Sequence, residues 1–264
     1  MHRIINSLLF LLAMLAFSHA ALAQSDADSD SDAKQPAAAK SQKSGPPPKS
    51  LSGTWSVNAP RIPWYNYALT GDDPPMTPWA LEKFKENRPS FGPNAVEDPN
   101  DVAYRCLPNA VPRAYIGFQT TIQIVELPGR TLMFLGRNVR QIYTDGRPHP
   151  TDHHLMWMGH SIGKWDGDTF VVDTIGINDM NWLDRMGHPL SDKLHLIERF
   201  HRTDDKTLLL DITIDDPVAY TKVWNATQKV FRLRPNSRAG DGGVCEDMFD
   251  GKAFGIHPIL PSME

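Results

Sequence analysis

The chain is 264 residues long with a formal net charge of -4, and with no basic block it argues against nucleic acid as a partner. It holds only two cysteines, Cys106 and Cys245, and no CxxC or CxxCH spacing, so thiol redox chemistry and covalent haem have no support. P-loop, dinucleotide, Gly-x-Ser-x-Gly and His-Glu-x-x-His signatures are also absent from the sequence.

His2 and Arg3 form a short basic start, Ile4 to Phe17 an apolar run, and Ala21-Leu-Ala23 a small-x-small site before Gln24. This pattern predicts a secretory signal peptide over residues 1–23, too short in its apolar part to be a good spanning helix. No stable membrane insertion is expected after cleavage, and the mature chain is expected to be periplasmic or secreted. Residues 24–50 are Ser, Asp, Ala, Lys, Pro and Gly with almost no branched apolar or aromatic side chain, which predicts a disordered linker. Residues 51–264 are then expected to form a single β-rich domain. In an oxidising compartment the two cysteines predict one disulfide, Cys106–Cys245, with two separate buried thiols as the alternative.

Along the domain, Leu51-Ser-Gly-Thr-Trp55 opens the first strand. Residues 61–99 are rich in proline and aromatics and predict a long irregular wrap, interrupted by one short helix with Thr77 as N-cap and Pro78 at the first helical position. Thr121 to Leu127, the Pro128-Gly129 turn and Thr131 to Leu135 read as a hairpin, and Asn138 to Thr144 as a third strand. Ser161 to Trp165 and Thr169 to Ile175 flank Asp166-Gly-Asp168, a tight hairpin turn. Lys193 to Arg202 pairs with Thr207 to Ile214, and Tyr220 to Arg232 supplies one or two more strands. The fold class is mostly β: an antiparallel β-barrel or sandwich. Gly53-Thr-Trp55 at the head of such a chain resembles the first strand of lipocalin and calycin barrels, which implies a barrel with a ligand cavity.

Longer motifs carry a second resemblance. Cys106-Leu-Pro-Asn-Ala-Val-Pro-Arg113, Asp145-Gly-Arg-Pro148, Gly159-His-Ser-Ile-Gly-Lys-Trp-Asp-Gly-Asp-Thr169, Glu198-Arg-Phe200 and Thr213-Ile-Asp-Asp-Pro217 with Ala219-Tyr-Thr221 resemble a large family of exported bacterial β-rich proteins. The resemblance implies export and a β-rich fold, and it carries no catalytic residue over to this chain.

The candidate site follows from the chemistry of the side chains. In Leu194 to Arg202 a period of two puts Leu194, Leu196, Glu198 and Phe200 on one face, with His195, Ile197, Arg199 and His201 on the other. Glu198 is the acid on an otherwise apolar face; such a carboxylate suits general acid/base work unless a cation pairs with it, and a structural ion pair with an arginine from a neighbouring strand is the alternative. Arg199 is expected to pair across the outer surface. The loop of His149, His153, His154 and His160, with His188 and His195 downstream, offers imidazole; His160, at the mouth of a strand, is the candidate proton partner of Glu198. Tyr143, Asp145, Trp157, Trp182 and Asp184, together with His149, His188 and His195, are the candidate substrate-binding residues. No cofactor is required, although exported histidines leave zinc or copper open; their spacing fits no familiar ligand set.

The functional expectation is a cofactor-independent lyase, isomerase or hydratase acting on a small aromatic or apolar molecule in a barrel pocket, with Glu198 and His160 moving protons. A non-catalytic lipocalin-like binding protein and a histidine-ligated metalloprotein are the alternatives.

Overall fold

The computed structural model describes residues 50–237 apart from Arg61, Phe91, Cys106, Phe118, Gln119 and His153. The expected signal peptide, nearly all of the expected linker, the C-terminal tail and the expected Cys106–Cys245 bridge lie outside the described residues.

Ten strands follow one another: β1 (Gly53–Val57), β2 (Thr121–Leu127), β3 (Arg130–Leu135), β4 (Asn138–Tyr143), β5 (His160–Asp166), β6 (Thr169–Ile175), β7 (His195–Arg202), β8 (Thr207–Asp215), β9 (Trp224–Asn225) and β10 (Lys229–Leu233). Each of β1 to β8 pairs with its successor, and β10 pairs with both β8 and β1. Nine strands thereby close a barrel, and β9 is added outside the ring on β8. Closure removes the free edges that an open sheet or sandwich would leave.

The barrel is mixed, which corrects the expectation of a wholly antiparallel sheet. β4 and β5 run parallel, with Ile142 opposite Ser161 and Tyr143 opposite Ile162. Parallel neighbours cannot be joined by a tight turn, and the histidine-rich connection between Tyr143 and His160 is the crossover that this join requires. Gly159 ends it at φ 62°, where a Cβ would stand 2.5 Å from the Ile175 carbonyl oxygen, so only glycine fits.

The hairpins form where turn chemistry places them, with Gly129 (φ 73°) joining β2 to β3 and Gly167 (φ 61°) joining β5 to β6. The expected helix is α1 (Pro78–Glu86); the Thr77 hydroxyl accepts a hydrogen bond from Ala80 N at 3.2 Å and donates one to the Val218 carbonyl at 2.7 Å. That second bond, with Thr77 N donating to Ala219 O, ties the wrap to the segment after β8.

Strand alternation sorts the side chains. Trp55, Ile122, Ile124, Met133, Ile142, Phe170, Val172, Leu196, Phe200, Leu210, Ile212 and Phe231 are buried in one core cluster, and Tyr115, from the short 3-10 turn Arg113–Tyr115, joins them. Leu196, Glu198 and Phe200 of β7 are buried, whereas His195, Ile197 and His201 are half-buried and Arg199 exposed, as the period of two requires. The Tyr115 ring meets Phe200 and Phe231 edge-on, with centroids 6.2 and 6.5 Å away, so at this level the interior is filled by side chains.

Candidate functional site

The expected site residues separate into three groups. The first is Glu198, which points inward and is fully buried. Its partner is Arg140, a cation on β4, separated from β7 by β5 and β6, rather than one on a neighbouring strand. Arg140 Nη1 donates to Glu198 Oε1 at 2.8 Å, and Nη2 donates to Oε2. The remaining Arg140 donors are also placed: Nε on Ser161 Oγ at 3.1 Å, Nη1 on Tyr115 Oη at 2.7 Å and Nη2 on Thr174 Oγ1 at 2.7 Å. Tyr115 in turn donates to Glu198 Oε1 at 2.7 Å. Burial alone would favour the neutral guanidine, but Glu198 and Tyr115 outweigh it and hold Arg140 protonated, above its ordinary range. Burial pushes the Tyr115 phenol well above its ordinary value. Each guanidinium N–H thus has an acceptor.

The second group lies on the opposite face of the same sheet. His160, at the start of β5, points away from the barrel, since its neighbour Ser161 is the inward residue that joins the Arg140 network. His160 and Glu198 therefore do not meet in one cavity. His160 Nδ1 lies 2.8 Å from His149 Nδ1, His149 Nε2 lies 3.1 Å from Asp173 Oδ1, and His195 Nε2 lies 2.8 Å from the same carboxylate oxygen. Partial burial pushes the Asp173 carboxyl up, but hydrogen bonds and charge from His195 and His149 prevail and leave it below the usual carboxylate range. His195 is displaced upward, chiefly by its hydrogen bond to Asp173, against a smaller desolvation. With Asp173 ionised, both imidazoles present N–H to it through Nε2. Neutral His149 then accepts at Nδ1 from His160 Nδ1–H, and neutral His195 keeps its basic lone pair on Nδ1.

Tyr143 stacks on His160, with centroids 5.2 Å apart, and carries the Arg147 guanidinium 4.0 Å from its ring centroid. Arg147 is also bound to Asp145, with Nε 2.9 Å from Oδ1 and Nη2 2.5 Å from Oδ2. Those bonds hold the Asp145 carboxyl down to about 2. Tyr143, Gly146 and Arg147 form one wall of a cleft of about 410 Å³, whose floor is the outer face of β5, β6 and β7: Ile162, Val171, Asp173, Ile197 and Arg199, with Lys164 and Asp166 at one end. A Cβ on Gly163 would stand 2.5 Å from the Phe170 ring, so the strand backbone there lies directly on the core.

The third group is Trp182, Asp184 and His188, all buried in the segment between β6 and β7. Asp184 Oδ2 takes His188 Nδ1 at 2.6 Å, and Asp184 Oδ1 takes the Met186 and His188 backbone N–H groups. His188 stacks on Phe84 of α1 with centroids 4.8 Å apart, and the Arg113 guanidinium stands 5.4 Å from the Trp182 ring centroid. These contacts dock the wrap, and none of the three residues lines the cleft. Trp157 is half-buried in the crossover, and His154 is exposed.

Among the described residues, no group of three or more His, Cys, Asp or Glu is arranged to hold a metal ion. Arg199 is exposed and, among the described residues, has no ion pair, contrary to the expected pairing across the surface. Three residues were missed at the sequence level. Asp173 is the acid that organises the histidines, and its outward phase opposite Ile197 was legible from the alternation of both strands. Arg140 shares a face with Ile142, two residues on, so its inward direction was legible too. Lys229 shares a face with Phe231; it is fully buried, donates to Ala68 O at 3.4 Å, and burial pushes its amine down to about 8.

No protein-family model matches the chain, and neither the curated proteins nor the solved structures contain a match to it.

Proposed function

We propose that the protein is an exported acid/base catalyst, of lyase, isomerase or hydratase type, that acts on a small molecule with an aromatic or apolar body in the outer-face cleft of a calycin-like barrel. The observation that carries this reading is the Asp173 carboxylate at the cleft floor, which holds His195 and His149 by Nε2 while His160 bonds His149 through Nδ1. An aspartate that fixes the tautomer of a histidine leaves the far ring nitrogen as a general base, and such groups contribute about 10²–10⁴-fold when they reach the reacting proton. His195 takes the role of base, and the His149–His160 pair supplies a path by which a proton can be returned. Tyr143 and the Ile162, Val171 and Ile197 side chains give a flat apolar substrate a surface to lie on. The Arg140–Glu198–Tyr115 network has the role of a scaffold beneath that floor. Export to the periplasm or medium remains part of the proposal.

The experiment is deuterium incorporation in D₂O, followed by NMR, into aryl ketones and aryl-substituted acids whose C–H lies next to a carbonyl. Exchange above the buffer rate that falls roughly 10²-fold or more in Asp173→Asn and His195→Gln is the expected result. Exchange equal in the wild type and both variants would overturn the assignment. Binding of these compounds with no exchange would replace catalysis with a carrier role.

A further inference from the structure

The outer face of the cleft is an ordered grid whose rows follow from strand register. One row reads Ile162, Asp173, Ile197; the next reads Lys164, Val171, Arg199; the third reads Asp166, Thr169, His201. Val171 is thus flanked on both sides by a cation, one strand away in each direction, and strands about 4.8 Å apart place the two backbones roughly 10 Å from each other. Both cations are exposed, both line the cleft, and among the described residues neither forms an ion pair. Of the other charges nearby, Arg147 is bound to Asp145, Asp173 to His149 and His195, and Asp211, opposite Arg199 on β8, accepts from Gln228 Nε2 at 2.8 Å, while Asp166 lines the same cleft.

Two cations without an ion pair astride an apolar side chain, beside the Ile162 and Ile197 side chains, are what an amphiphilic anion needs. Resting on the cleft as the ligand site, we propose that the ligand is a small carboxylic acid, its carboxylate held over Val171 between Lys164 and Arg199 and its apolar or aromatic body laid over Ile162 and Ile197 toward Tyr143. The choice of a carboxylate over a phosphate comes from the acids in the same cleft. Asp166 and Asp173 both line it, and each repels a dianion more than a monoanion. Arg199 supplies a planar fork for the two oxygens and Lys164 a compact charge. This orientation puts the carbon chain of the acid beside Asp173 and its imidazoles, so the charged end anchors the ligand and the proton-transfer groups meet the body.

The probes are 3-phenylpropionate, its neutral amide 3-phenylpropionamide, and phenyl phosphate, titrated into the full mature chain by NMR with the isoleucine methyl and histidine ring signals as reporters. The acid is expected to bind roughly 10-fold or more tighter than the amide, by the strength of hydrogen bonds to a charged group, and its advantage should shrink with added salt. Arg199→Gln and Lys164→Gln, both at exposed positions, should each shrink that advantage of acid over amide. Equal binding of acid and amide, with cleft signals moving in both titrations, would overturn the anion inference while leaving the cleft as the site. Tighter binding of phenyl phosphate than of the acid would overturn the choice of carboxylate. Silence of the cleft signals with every probe would overturn the cleft reading itself, and this inference with it.

Discussion

The two faces of β6 and β7 carry a carboxylate each and use it differently. Inside, Glu198 is fully buried, and its oxygens are taken up by Arg140 and Tyr115, themselves fully buried. Outside, Asp173 leaves 36% of its side chain exposed and is held by two imidazoles. The difference is one of solvent. In the interior an uncompensated charge costs so much that every donor of the Arg140 guanidinium is matched to an acceptor, and the matched set is locked in place. At the cleft, water solvates the charges, so no such matching is forced there. An acid on an apolar face marks a place where the fold had to solve an electrostatic problem; an acid among histidines on a wetted face marks a place where chemistry can be done.

The largest effect is expected from removing the inner carboxylate charge. Glu198→Gln strands Arg140 and should cost about 3–5 kcal/mol in urea unfolding, whereas the paired change Arg140→Met with Glu198→Leu should restore most of it. Full stability in Glu198→Gln alone would show that the inner face is not the locked one. Tyr115→Phe comes next: it removes one hydroxyl that serves both charges and should cost about 1.5–3 kcal/mol, read as a fall in Tm of several degrees. Asp173→Asn should cost less than about 1 kcal/mol, since its partners are half-exposed, while proton exchange at the cleft drops roughly 10²-fold. A stability loss as large as that of Glu198→Gln, with exchange intact, would reverse the roles of the two faces.

The smallest effect is that of pH on the outer pair. Asp173 is held below its usual range, so its contribution to stability is present above its unfolded value near 3.9 and lost as pH falls through the lower folded value. His195 is held above its usual range, so its contribution is full below about 6.5 and lost as pH rises through the higher folded value. Together they should stabilise the fold by a few tenths of a kcal/mol between roughly pH 4 and 6.5, as expected of exposed pairs. His195→Gln should flatten the decline of Tm above that window; a wild-type Tm that instead rises from pH 6.5 to 8.5 relative to the variant would contradict the linkage. The proposed catalysis should run the other way, because its proposed base is neutral His195: exchange should climb as pH passes its raised titration point, and Asp173→Asn should move that point down.

Much of the barrel was legible because it is written locally. Asp166-Gly-Asp168 and Pro128-Gly129 specify turns by their own backbone chemistry, Thr77-Pro78 starts a helix by satisfying its first N–H groups, and the period of two sends Glu198 inward and His195 outward whatever strand lies beside them. Which distant groups meet depends on the closed barrel as a whole. Glu198 finds Arg140 across the barrel interior, 58 residues away in the chain, and the pairing depends on closure of a ring that no local pattern specifies. His149 reaches Asp173, 24 residues further on, because β4 and β5 join in parallel and the crossover must fold back over the outer face. Alternation tells a side chain which face it is on, and it kept His160 from Glu198; strand order and barrel closure decide who shares that face, and they brought His160 through His149 to Asp173.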